Sequence, residues 1–245
     1  MNTRDRHTLE YDAAASVAAI RWPQIEGELD AHGAACLPRL VPPDVCTALA
    51  TLYDDDAAFR SRVVMARHGF GQGEYRYFRY PLPPVIGALR SAIYPHLVPL
   101  ANRWHEAMGL PVRFPPQHDA FIARCHAAGQ TRPTPLLLRY RPGDYNCLHQ
   151  DVYGEHVFPL QLVLLLSQPE RDFDGGEFVM TEQRPRMQTR AMVLPLQRGD
   201  AALIAVRHRP LRGARGFYRV NLRHGVSRVR SGERFTAGII FHDAA

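Results

Sequence analysis

The chain contains no lysine; its 30 basic side chains other than histidine are all arginine. Schiff-base catalysis and lysine general-base chemistry are excluded with it. Any carboxylate or phosphate must be gripped by guanidinium groups, whose planar fork bonds a carboxylate through two parallel N–H donors. Cysteine is scarce as well. The four, Cys36, Cys46, Cys125 and Cys147, include no C-x-x-C pair. This argues against a disulfide framework or a structural zinc site and predicts reduced, mostly buried thiols. No stretch approaches the ~18 consecutive apolar residues of a membrane span. The opening Met1-Asn-Thr-Arg-Asp-Arg-His7 leads into no apolar core of the kind a secretory leader needs. These absences predict a cytoplasmic protein with no membrane partner.

A length of 245 residues with 46% hydrophobic content fits one large domain, or one domain with extensions. The net charge of +6 is unevenly spread. From Arg184 to Arg234 there are 13 arginines against two acids, Asp200 and Glu233. Such an excess attracts anions: a nucleic acid, an anionic metabolite or an acidic peptide. It is equally consistent with a solvated cationic face.

The first half reads mainly as helix. Pro43 suits a helix start leading into Asp44–Tyr53. In Pro84–Met108, Ile86, Leu89, Ile93, Leu97, Leu100 and Trp104 recur at helical spacing, with Gly109 as a stop, and Pro95 and Pro99 predict a kink or a division. A further helix is predicted over His118–Ala128. The character changes near Pro135. Leu136–Tyr140, Phe158–Leu166, Glu177–Thr181, Ala191–Leu196, Ala201–Val206, Phe217–Val226 and Arg234–Phe241 read as strands separated by Gly- and Asp-containing turns. The expected fold is α+β and mainly β, a double-sheet jelly roll supported by N-terminal helices. Residues 1–134 form the helical support and substrate entrance, and 135–245 the β core. Between the helices, Arg67–Tyr80 holds three glycines and a dense run of Arg and aromatic residues. It reads either as a flap over a site or as a hairpin buried under the helices.

His149-Gln150-Asp151 is an H-x-D pair. On an extended segment its two side chains point to one side, and imidazole with carboxylate suits Fe(II) when a third ligand completes a facial triad. With 12 His and 24 acidic residues in the chain, about one such pair is expected by chance, so the case rests on its surroundings. In the late strand, Val220, Leu222, His224 and Val226 share one face while Arg219, Asn221 and Arg223 share the other. His224 therefore points inward, as a third ligand or as a satisfied core histidine. Ten residues on, Arg234 and Thr236 share a face of the last strand. An inward arginine among apolar residues needs an anion, and a five-carbon diacid chelating the metal at its near end supplies one; the alternative is Arg234 at the strand mouth, paired with Glu233 or another nearby acid. His156, His208, His242 and Asp243 compete as ligands, but none has this strand-plus-arginine context.

Taken in order, Arg139-Tyr140-x-x-Gly143, His149-x-Asp151, Gly175-Gly-Glu-Phe178, His224-Gly-Val226 and Arg234-x-Thr236 resemble the prolyl-hydroxylase-like branch of the 2-oxoglutarate/Fe(II) dioxygenase superfamily, over about Leu136 to Asp243. The resemblance implies a double-stranded β-helix in which His149, Asp151 and His224 hold Fe(II). It implies that Arg234 and Thr236 anchor the 2-oxoglutarate cosubstrate, with Tyr140 as a further contact. It implies hydroxylation of a C–H bond with release of succinate and CO2, and ascorbate as reductant. The expected substrate is a peptidyl side chain or a small molecule, anionic if the arginine excess recognises it. Two other readings stay open: oxidative demethylation of nucleic acid, and a non-catalytic cupin-like binding module.

Overall fold

The computed structural model describes residues 11–245; the Met1–His7 segment read above lies outside them. Five α-helices occur among the described residues: α1 (Ala13–Ala18), α2 (Trp22–His32), α3 (Pro43–Thr51), α4 (Pro84–Ala107) and α5 (His118–Ala127). The strands before Pro135 are β1 (Ala34–Leu37), β2 (Phe59–Val64), β3 (Gly71–Gln72) and β4 (Glu74–Phe78). Those after it are β5 (Leu136–Tyr140), β6 (Tyr145–His149), β7 (Leu160–Leu165), β8 (Phe173–Gly175), β9 (Phe178–Gln183) and β10 (Arg190–Leu194). They continue with β11 (Ala201–Ala205), β12 (His208–Gly213), β13 (Gly216–Val226), β14 (Val229–Gly232) and β15 (Arg234–Ile240).

Two antiparallel sheets face each other as a jelly roll. The larger runs β1-β11-β7-β15-β5-β4-β2; the smaller runs β10-β9-β13-β6-β3, with β12 also paired to β13. A short β14-β8 ladder closes one end. The apolar run of β7 lies inside the larger sheet, between β11 and β15, and is buried along its whole length, as a strand covered on both faces must be. On β13 the burial alternates, with Val220, Leu222 and His224 inside and Arg219 and Arg223 outside. No helix among the described residues is long and apolar enough to cross a membrane.

Helix α4 runs through Pro95 and Pro99 without the division that those prolines predict. Each proline removes one helical hydrogen bond, but Ile86, Leu89, Ile93, Leu97, Leu100 and Trp104 are all buried along one side, and that packing holds the rod together. The first half also contributes more sheet than its sequence suggests. Strand β1 pairs with β11, β4 with β5, and β3 with β6. The glycine-rich Arg67–Tyr80 segment is thus neither a free flap nor a hairpin under the helices. It crosses from one sheet to the other and supplies a strand to each. Of the four thiols, none is paired; Cys46 and Cys125 are buried, and Cys36 and Cys147 are exposed.

Candidate active site

A cavity of ≈190 Å³ opens between the sheets. At one end the smaller sheet presents His149, the last residue of β6, with Asp151 just beyond it. Strand β13 brings in His224, which stands opposite His149 in the β13–β6 register. Gly225 allows this approach: a Cβ there would sit 2.6 Å from the Asn146 carbonyl oxygen of β6. The ligand atoms of His149, Asp151 and His224 lie within 4.8 Å of one another. His149 Nε2 is 3.5 Å from Asp151 Oδ1, and His224 Nε2 is 3.3 Å from Asp151 Oδ2. Metal–ligand bonds of ~2.1 Å set neighbouring octahedral donors about 3 Å apart, so these spacings fit one shared ion with little movement. The two-imidazole, one-carboxylate donor set suits Fe(II).

His149 Nδ1 donates to the Cys147 carbonyl at 2.8 Å, which fixes the tautomer and leaves Nε2 free to ligate. Burial opposes ionisation of Asp151, but the imidazoles of His149 and His224 beside it outweigh that cost and hold the carboxyl well below the usual range. Burial also disfavours a charged His149, yet its bond to Asp151 leaves its pKa raised. Burial lowers that of His224, and neighbouring His149 adds to the shift.

The other end belongs to the larger sheet. Arg234 and Thr236 lie on β15, and Arg234 is in register with Tyr140 on β5. Arg234 is 2% exposed. Its Nη1 donates to Thr236 Oγ1 at 2.6 Å, while its Nε has no partner. The guanidinium stands 5.5 Å from the Tyr140 ring centre and 5.7 Å from that of Phe173. Burial draws its pKa down to about 10. The Tyr140 hydroxyl is buried and also unpartnered, with its pKa raised to about 12 by burial. A buried cation with spare donors, beside an unpaired hydroxyl, fits the far carboxylate of 2-oxoglutarate.

The structure therefore brings His149, Asp151, His224, Arg234, Thr236 and Tyr140 around one cavity. The competitors lie elsewhere. His242 is buried with its Nδ1 accepting from the Phe158 amide, and Asp243 pairs with Arg90. His208 opens β12 and is half-buried. Residues that the sequence did not single out also line the cavity, among them Phe70, Tyr75, Tyr77, Tyr153 and Gln161. Phe70, Tyr75 and Tyr77 lie in the aromatic-rich Arg67–Tyr80 segment that the sequence offered as cover for a site, and Gln161 stands out as the one polar residue inside an apolar strand.

Solved structures share this architecture. A Pseudomonas putida prolyl-4-hydroxylase superposes with a TM-score of 0.50 at 15% identity, covering 89% of this chain and 96% of that one. A prolyl 4-hydroxylase from Phytophthora capsici gives 0.55 at 15% identity, covering 95% and 66%. At such identity the likeness concerns the fold. In sequence, the uncharacterized protein Rv2227 of Mycobacterium tuberculosis H37Rv is 50% identical over 168 residues, 69% of this chain and 72% of that protein. MT2286 of strain CDC 1551 matches to the same extent. Residues 73–244, more than half of the chain, match the family Oxygenase-NA, described as an oxygenase catalysing oxidative methylation of damaged DNA. With the jelly roll, the clustered triad and this match in place, the chain belongs to that oxygenase family.

Proposed function

We propose that the protein is an Fe(II)- and 2-oxoglutarate-dependent dioxygenase that hydroxylates a C–H bond. One observation carries the reading: a two-histidine, one-carboxylate cluster shares a single cavity with a buried guanidinium whose donors are largely unmet. His149, Asp151 and His224 would hold the iron, and Arg234, with Thr236 and Tyr140, the far carboxylate of the cosubstrate. Together, iron and 2-oxoglutarate activate O2, with oxidative decarboxylation to succinate and CO2 and transfer of one oxygen atom to the substrate. The chain's own part is positional. Asp151 stays ionised, His149 is held in one tautomer by Cys147, and Arg234 fixes the diacid's reach. Phe70, Tyr75 and Tyr77 wall the cavity with aromatic surface and keep water from it. Four unpaired thiols suit a reducing, cytoplasmic setting.

For the substrate, a peptidyl side chain or small molecule fits a cavity of this size. A second reading, oxidation of a damaged nucleic-acid base, is favoured by the description of the family and by the arginine excess between Arg184 and Arg234. Incubation with Fe(II), ascorbate and 2-oxoglutarate in air tests the activity. Succinate should form slowly without substrate and should not form with Asp151→Ala; no succinate from the unaltered protein with any substrate tried would defeat the proposal. Adding methylated single- or double-stranded oligonucleotide separates the substrate readings. Stimulated turnover and steeply salt-dependent binding support the nucleic acid, and their absence supports the smaller substrate.

A further inference from the structure

Strand β7 is buried on both faces, yet Leu160-Gln-Leu-Val-Leu-Leu165 carries a polar residue there. Gln161 is 3% exposed. An amide so placed costs free energy unless its polar atoms are met. Its Nε2 donates to Asp151 Oδ2 at 2.9 Å and lies 3.2 Å from His224 Nε2. This network fixes the amide's orientation, because the opposite one would set Oε1 against a carboxylate oxygen. Gln161 Oε1 is buried and has no partner. The fold alone therefore does not explain the side chain, since a leucine would leave nothing unpaired at this point of the core. On the opposite side of the carboxylate, the Tyr153 hydroxyl donates to Asp151 Oδ1 at 2.8 Å.

We propose that Gln161 is a positioning residue of the metal centre, acting with Tyr153 as a two-sided clamp on Asp151. The proposal rests on the iron reading above. Asp151 lies past the end of β6, outside any ladder, so its backbone does not fix its carboxylate plane. The two neutral donors do, one from the floor strand of the larger sheet and one from the segment following β6. Each carboxylate oxygen has two lone pairs, and each donor occupies one. The ligand charge is kept, and one lone pair per oxygen remains for the ion. With His224 Nε2 committed to an ion, Gln161 would keep its bond to Asp151.

The test is metal affinity, measured without turnover. Gln161→Met keeps the volume and removes the donor, and Tyr153→Phe removes only the hydroxyl. Partners that orient a ligand are worth about 10–100-fold in affinity. Each variant should therefore raise the Mn(II) dissociation constant by roughly that factor and shift the visible absorption of the Co(II)-loaded protein. The melting temperature of metal-free Gln161→Met should stay level or rise, which a merely structural glutamine would not allow. The double variant should lose less than the product of the single losses, as expected of one clamp. Unchanged Mn(II) affinity and an unchanged Co(II) spectrum in both variants would overturn the clamp. If Gln161→Met fails to fold, Tyr153→Phe, whose side chain is only half-buried, decides the matter by the same readouts. The iron reading fails differently: the unaltered protein would then bind Mn(II) and Co(II) no better than Asp151→Ala.

Discussion

As the proposed anchor of 2-oxoglutarate, Arg234 should be costly to the empty protein and useful only to the loaded one, and the two effects are separable. The guanidinium is buried and bonds Thr236, and no carboxylate lies within salt-bridge reach of it among the described residues. Replacing a buried charge by an apolar side chain of similar volume is often stabilising, by about 1–4 kcal/mol. For a chain of this size each kcal/mol moves the melting temperature by roughly 2–4 °C. Arg234→Met should therefore melt later than the unaltered protein when both are free of 2-oxoglutarate. Binding should move the other way. Removing one partner of a buried, hydrogen-bonded charge pair costs about 2–5 kcal/mol, or roughly 30- to 5,000-fold in the dissociation constant. With Mn(II) in place of iron, 2-oxoglutarate at a hundred times its dissociation constant stabilises the unaltered protein by about 2.7 kcal/mol. The same concentration should stabilise Arg234→Met by about 0.9 kcal/mol at most, for a 30-fold loss, and by almost nothing for a 5,000-fold one. Thermal melts with and without the diacid, supported by calorimetric titration, read both effects. A ligand-free Arg234→Met that melts several degrees early, together with a preserved shift on adding 2-oxoglutarate, would refute the argument.

The remaining expectations concern the metal approach, the anchor and the pH response. Gly225→Ala should press on the Asn146 carbonyl at 2.6 Å and separate β13 from β6, costing about 1–3 kcal/mol. Mn(II) affinity should fall with it, and a folded variant with full affinity would show that the strand contact does not set the triad. Gly176 has φ +61, and a Cβ there would meet Arg234 Cδ at 2.9 Å, so Gly176→Ala should weaken 2-oxoglutarate more than metal. Equal losses in the two titrations would count against this. His118 is buried, and burial, with Arg90 adding, lowers its pKa to about 4; its Nε2 bonds the Phe241 carbonyl at 2.9 Å. The unfolded chain takes up that proton near pH 6.5 and the native chain does not. Stability is therefore complete above about pH 6.5 and falls as the pH drops towards 4, by up to about 1.4 kcal/mol per unit. His118→Asn should flatten the fall in denaturant titrations at pH 7 and pH 5, and an unaltered slope would reject the assignment.

The legible parts of the fold were those whose hydrophobic pattern matched their burial. Strand β5 was read at its observed bounds, and β7, β11, β13 and β15 within a residue or two, because each is an apolar run or alternates cleanly. Strand β12 was not read: Pro210 and two arginines break its pattern, and Arg209 is buried with Glu182 meeting it at 2.6 Å and the Asp30 carbonyl at 3.0 Å. Strands β1 to β4 escaped for a related reason. Phe59–Val64 carries two arginines, and Ala34–Leu37 is four residues long, so tertiary pairing rather than local preference makes them strands. In the site, the order of motifs pointed to both ends of the cavity. Tyr153 and Gln161 stayed invisible as contacts of Asp151, since the residues that touch a carboxylate depend on how segments meet. A lone amide in an apolar strand was the available clue.

The division of the site between the sheets has a consequence for dynamics. His149 and His224 stand on strands of the smaller sheet, with Asp151 next to them, whereas Arg234, Thr236 and Tyr140 stand on strands of the larger one. A metal alone engages the first group. A diacid that reaches the metal at one end and Arg234 at the other ties the sheets to each other, and its binding free energy then opposes their separation. Hydrogen exchange should show this stepwise. Mn(II) should slow exchange in β6 and β13, and 2-oxoglutarate added afterwards should extend protection to β5 and β15. Protection of β5 and β15 by metal alone, or no added protection there from the diacid, would mean that the two ends of the cavity do not act through one ligand.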